Sequence, residues 1–183
     1  MERNAIPPYA IPPYVLQVIG AIPKCTGLVL FIPVAAAFLF SQSIPATIAV
    51  ITSTLIIEYG AAPIGIGLGL HPAFVFLILT SVALGITLFL FDLFDTLGRY
   101  SERVARFLAR SEEKAKKSTI LSRYGIYGLL PCVLTLGFYV CPPVSWALGW
   151  RRDHAIILIM AGFVGISAIL VLATLGLFSI IFH

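Results

Sequence analysis

Long apolar runs dominate this chain, and the glycines, prolines and charges that interrupt them mark out its elements. Residues 1–24 open with a tandem repeat, Ala5-Ile6-Pro7-Pro8-Tyr9 and Ala10-Ile11-Pro12-Pro13-Tyr14. Proline breaks a helix interior and favours extended polyproline geometry, so this stretch reads as an interfacial arm. Residues 25–40 form a first apolar span, kinked at Pro33. The next element, 44–71, has an apolar approach from Ile44 to Ile57, short of the ~20 residues a crossing helix needs. It reaches Glu58 and departs through Gly60, Pro63, Gly65, Gly67 and Gly69, which reads as a broken or re-entrant helix.

Residues 72–91 are apolar or small throughout, long enough to span, and Asp92 and Asp95 close them. Ser81 and Gly85 give this span a small-residue face for close helix contact. In residues 96–123 the period changes: Leu97, Tyr100, Val104, Phe107 and Leu108 recur at three and four residues, with Arg99, Arg103, Arg106 and Arg110 largely on other faces. This predicts an amphipathic helix lying on the cytoplasmic surface. Residues 124–150 are again apolar but broken, by Gly125, Gly128, Pro131 and Gly137 and then by Cys141-Pro142-Pro143, which should forbid helix continuation. If this element crossed the bilayer, Arg151 and Arg152 would fall outside, against the positive-inside tendency. A second re-entrant hairpin keeps them inside. Residues 154–182 make the last and longest span.

The predicted fold is therefore an all-α integral membrane protein. It has about three full transmembrane helices and two re-entrant hairpins, arranged as an inverted repeat within one transmembrane domain, 25–182. Hairpins that enter from opposite sides and meet near the midplane are a transporter device, because they place helix ends and unwound backbone around a polar site.

Composition agrees with this class. Residues are 60% hydrophobic and 11% charged, with a mean hydropathy of +1.03, more apolar surface than one small soluble core can hide. The net charge of +4 is concentrated, since eight of the twelve Lys and Arg lie between Arg99 and Arg123. That pattern points to membrane orientation and not to nucleic acid. Cys25, Cys132 and Cys141 lack metal-ligand spacing and read as three buried thiols.

Candidate chemistry centres on Glu58, the one acidic residue between Glu2 and Asp92. An ionisable group at membrane depth is expensive and is usually paired or functional. His71 is a candidate proton-relay partner for it. The glycine series Gly65-x-Gly67-x-Gly69 has the wrong spacing for a dinucleotide fingerprint and suits hairpin packing. An enzyme is not expected. Ser167 and His154 lie thirteen residues apart on one helix, or roughly 20 Å at ~1.5 Å per residue, too far for a nucleophile and its base, and no zinc-binding helix motif occurs. No cofactor or metal is implied.

Glu58-x-Gly60-Ala61-Ala62-Pro63-Ile64-Gly65, then Tyr124-Gly125-x-x-Gly128-Leu129, a proline-containing break leading to Trp146, and Ala161-Gly162 in the last helix together resemble the small multidrug export protein family, related to the DedA superfamily. In the first hairpin the chain has Glu58-Tyr59-Gly60, with no arginine and the glutamate one place nearer the glycine than in the family pattern. In the second, Val140-Cys141-Pro142-Pro143-Val144-Ser145-Trp146 keeps a proline and the tryptophan without the family's glycines and threonine.

The resemblance implies a membrane carrier that translocates a phosphorylated polyprenyl lipid, proton-coupled in some members. The alternative is proton-driven export of small cationic drugs, and a second is a structural or assembly role without transport. A lipid phosphate needs cationic partners; Arg151 and Arg152, with Asp153 and His154 beside them, and then Arg123, are the best placed. Proton coupling needs a carboxylate able to take up a proton near neutrality, and Glu58 is the candidate at depth. Gly60, Pro63, Gly65, Gly67, Pro142 and Pro143 would shape the hairpin backbones. Expected partners are membrane lipids, protons and a second copy of the chain, since so small a bundle seldom encloses a site alone.

Overall fold

The computed structural model describes residues 13–100, 125–129, 132–133 and 137–181. Among them every regular element is helical: α1 (Pro13–Thr26), a π-turn (Gly27–Phe31), α2 (Ile32–Leu39), α3 (Ile44–Ile57), a 3-10 turn (Glu58–Ala61), α4 (Ala62–Gly67), α5 (Pro72–Tyr100), a second 3-10 turn (Gly125–Gly128), α6 (Cys141–Ala147) and α7 (Arg152–Ile181). Among the described residues four helical stretches are long and apolar enough to cross a membrane: Ile19–Leu39, Ile44–Gly67, Pro72–Thr96 and Arg152–Gly176. The chain is a multi-pass integral membrane protein.

Prolines are the main point at which the structure departs from the sequence expectation. Helix α1 begins at Pro13, inside the stretch expected to be an extended arm, and Pro45, Pro63, Pro72 and Pro142 likewise stand in the first turn of their helices. A first-turn N–H has no partner within its helix, so its loss costs nothing there, and the fixed φ of proline already suits the helix. Cys141-Pro142-Pro143, expected to forbid helix continuation, opens the new helix α6.

Pro33 acts differently, from within the first crossing. In the π-turn the N–H of Ile32 bonds the carbonyl of Gly27. Pro33 has no N–H to serve the next carbonyl, that of Leu28. The hydroxyl of Ser81 on α5 donates to that carbonyl at 2.6 Å. One turn further along α5, a Cβ on Gly85 would come within 2.8 Å of Val29 and 3.0 Å of Leu28. The small-residue face of α5 is thus where the bulged first crossing docks.

Helix α5 also contacts α2, α3, α4 and α6 and runs alongside α7. It passes through Asp92 and Asp95 to Tyr100; the two carboxylates do not end the helix because they are paired by groups from α6 and α7. Between α3 and α5 the chain reverses. Gly65 of α4 returns to lie against Val50 of α3 and Val75 of α5, and the His71 N–H reaches Gln42 Oε1, at the start of the excursion, at 3.3 Å. The expected amphipathic helix over 96–123 lies outside the described residues beyond Tyr100.

Candidate functional site

Helix α3 stops at Ile57 because Glu58 turns out of it, with φ 53° and ψ −127°. A residue bearing a side chain pays about 1–3 kcal/mol for such a backbone, so something must hold it there. The carboxylate accepts the backbone N–H of Phe138 at 3.2 Å and lies against Gly137, where any Cβ would collide with it. Gly137 also has φ +81°. Only glycine meets both conditions, the left-handed turn and the close approach. The Tyr139 hydroxyl donates to the Leu55 carbonyl at 2.8 Å, one of the acceptors left over where α3 ends. A break in the first half of the chain is therefore joined to the turn that leads into α6.

Aromatic rings wall this junction. Phe138 stacks on Tyr139 with ring centroids 4.3 Å apart and meets Phe163 of α7 edge-on at 5.0 Å. Tyr59 lies 6.2 Å from Phe163. Phe138 and Phe163 are fully buried, while Glu58 is only partly so. A carboxylate offers about four acceptor positions, and among the described residues Glu58 spends one, on Phe138. It keeps capacity for a proton or a cation.

A second polar cluster joins the far end of α5 to α6 and α7. Arg152 bridges Asp92 at 2.7 Å and Asp95 at 3.1 Å. The Trp146 indole N–H donates to the other oxygen of Asp95 at 3.0 Å, and its ring packs 5.7 Å from Phe94. The guanidinium also sits 5.8 Å over the Phe91 ring. A cavity of about 310 Å³ opens beside it, lined by Gly20, Ala21, Lys24, Asp92, Asp95, Thr96 and Arg152. Arg152, Asp92 and Asp95 are paired with one another here.

The groups singled out in the sequence fall in separate places. Glu58 sits at the junction, with Gly60 in its turn and Pro63 opening α4. Gly65 packs in the reversal and Gly67 ends α4. His71 is exposed in the turn before α5, beside a cavity lined by Phe40, Gln42, Ala73, Phe74 and Leu77, and not at the carboxylate. Arg152 is held by two aspartates, whereas Arg151, Asp153 and His154 are exposed around the start of α7. Pro142 and Pro143 form the first turn of α6. Arg123 lies outside the described residues. The groups that touch Glu58 were not foreseen, and a glycine followed by two aromatic residues, Gly137-Phe138-Tyr139, was the available signal. Asp92 and Asp95, three apart on one helical face opposite a basic pair, were the signal for the second cluster.

A family model described as "Putative small multi-drug export protein" matches residues 58–169, more than half of the chain. The matched region begins at Glu58 and takes in Gly137, α6 and Phe163. No curated protein and no solved structure matches the chain.

Proposed function

The chain belongs to the small multi-drug export protein family, and on that premise we propose that it is a carrier that expels small cationic compounds, with Glu58 binding substrate and proton in alternation. The observation that carries this reading is the Glu58 junction: a strained, half-buried carboxylate with acceptor capacity to spare, between aromatic rings of both halves. A carboxylate beside aromatic faces suits an organic cation through charge and cation–π attraction. It repels a phosphate. Binding of a proton and of a cation at one carboxylate is mutually exclusive, which is the minimal requirement for exchange of one against the other.

In this reading the reversal at Glu58–Ala61 is a re-entrant hairpin entering from the His71 end, and the turn at Gly137–Val140 is the tip of a second one from the other side, an inverted pair of the DedA type. Lengths support this. The fourteen residues of α3 rise ~21 Å and the seven of α6 about 10 Å at ~1.5 Å per residue. Together they make up the ~30 Å of a bilayer core. The tips meet at the Phe138 bond to Glu58, inside the membrane.

Polyprenyl-phosphate translocation draws less support, because Arg152, the cation best placed for a phosphate, is already engaged by Asp92 and Asp95. Purified protein in proteoliposomes with an imposed pH gradient separates the readings. Gradient-driven movement of a fluorescent organic cation, lost in Glu58→Gln, is expected. Acceleration of polyprenyl-phosphate movement without cation transport would restore the lipid-carrier reading, and neither activity would leave a structural role.

A further inference from the structure

Beside the Arg152 cluster, α1 and α5 leave space between them. Two cavities lie there, of about 310 Å³ and 320 Å³, and they adjoin, because Ala21, Lys24, Asp92 and Arg152 line both. Asp95 and Thr96 help to make the first one polar. The second runs on between Leu28 on one side and Leu88 and Phe89 on the other, and ends at Gly85, where Leu28 and Val29 close against α5. Asp92 and Gly85 are seven residues apart on α5, a depth of roughly 10 Å at ~1.5 Å per residue. One end of the space is charged and the other apolar. Thr96 ends one crossing and Arg152 begins another, so the charged end lies at the level of lipid headgroups and the apolar end among acyl chains. The first crossing is also the least enclosed of the four, with 11% of its apolar stretch buried and Ile22 and Leu30 exposed on it. The space therefore borders the lipid.

Charge at the mouth is balanced, Lys24 and Arg152 against Asp92 and Asp95, but its members are unequally committed. Both aspartates hold Arg152. Asp95 gives one oxygen to Arg152 and the other to Trp146. Asp92 meets Arg152 through Oδ1 and keeps the larger share of a carboxylate's acceptor capacity. Among the described residues no carboxylate lies within ion-pair distance of Lys24.

We propose that this space binds a phospholipid whose zwitterionic headgroup ends in a primary amine, phosphatidylethanolamine being the type. Lys24 meets the phosphodiester, whose single negative charge suits one ammonium. The amine of the lipid donates to Asp92, and the first part of an acyl chain enters between Leu28, Leu88 and Phe89. A choline headgroup has no N–H to give Asp92, and a glycerol headgroup brings no cation to it. A phosphate monoester sets extra negative charge against the two aspartates. The lipid so held ties α1 to α5 beside the Arg152 cluster and, binding the folded protein alone, stabilises it. The site is apart from the Glu58 junction and does not rest on the carrier reading.

The full-length protein, stripped of lipid in detergent micelles, is titrated with phosphatidylethanolamine, phosphatidylcholine, phosphatidylglycerol and phosphatidic acid, and bound lipid is counted by native mass spectrometry. Phosphatidylethanolamine is expected to bind at least fivefold more tightly than the other three. Lys24→Met, at an exposed helical position, should weaken it at least fivefold while leaving the lipid-free Tm unchanged, and the lipid should raise the Tm of wild type more than that of the variant. Wild-type protein exposed to phosphatidylethanolamine with a photoreactive diazirine near the head of one acyl chain should be labelled in the peptides that contain Leu28 or Leu88 and Phe89. Equal binding of phosphatidylcholine, tighter binding of phosphatidylglycerol or phosphatidic acid, unchanged affinity in Lys24→Met, or labelling confined to other helices would each overturn the proposal. So would displacement of the lipid by an equal concentration of soluble glycerophosphoethanolamine, since the apolar end would then contribute nothing.

Discussion

The Glu58 junction and the Arg152 cluster both bring charge in among the described apolar helices, and they are built on opposite principles. At the cluster, two carboxylates, a guanidinium and an indole satisfy one another, and three helices are tied as a result. At the junction, a single carboxylate with one hydrogen bond among the described residues sits on a strained backbone. Paired charge at the end of a helix serves cohesion, whereas a lone, incompletely satisfied carboxylate held under strain has no structural return that a neutral residue could not supply more cheaply. On the proposed carrier reading, function falls to the junction and closure to the cluster.

Four substitutions test that division, in descending order of expected effect. Gly137→Ala should be the most damaging, because its Cβ would strike the Glu58 carboxylate in a backbone conformation that itself costs about 1–2 kcal/mol for an L-residue. Loss of measurable transport with a clearly lowered Tm is expected; wild-type transport would break the junction. Arg152→Ala should destabilise by about 1–2 kcal/mol, the cost of leaving Asp92 and Asp95 unpaired, reduced because all three groups are partly exposed. Its residual flux per folded molecule should stay near wild type, read from thermal unfolding alongside dye flux.

Glu58→Gly should separate the two properties most sharply. Relieving the positive φ offsets the lost bond to Phe138, so stability should change by no more than about 1 kcal/mol while transport disappears. A variant that unfolds would make Glu58 part of the frame. Tyr139→Phe removes only the bond to the Leu55 carbonyl, worth about 0.6 kcal/mol in a membrane protein. It should leave Tm almost unchanged and slow flux a few-fold.

Glu58 could be read from sequence because it stands alone in an apolar context, and the break after it because glycines and a proline follow at once. What it touches could not be read. Phe138 lies eighty residues away and offers a backbone N–H, a group every residue but proline has. The partners of Arg152 were hidden for a related reason: its charge is visible in sequence, but the aspartates that pair with it are about sixty residues distant. The prolines misled locally. A proline that breaks a helix and one that starts a helix look alike until the helix boundary is known. Pro13 starts a helix inside the expected arm, whereas Pro33 leaves a carbonyl that Ser81 had to find.

The most direct test of the division is to measure cation flux and thermal stability together, in one reconstituted preparation, for Glu58→Gln and Arg152→Ala. The expected result is that Glu58→Gln keeps the wild-type Tm and loses gradient-driven flux, while Arg152→Ala loses stability and keeps flux per folded molecule. Wild-type flux from Glu58→Gln would contradict the assignment of function to the junction.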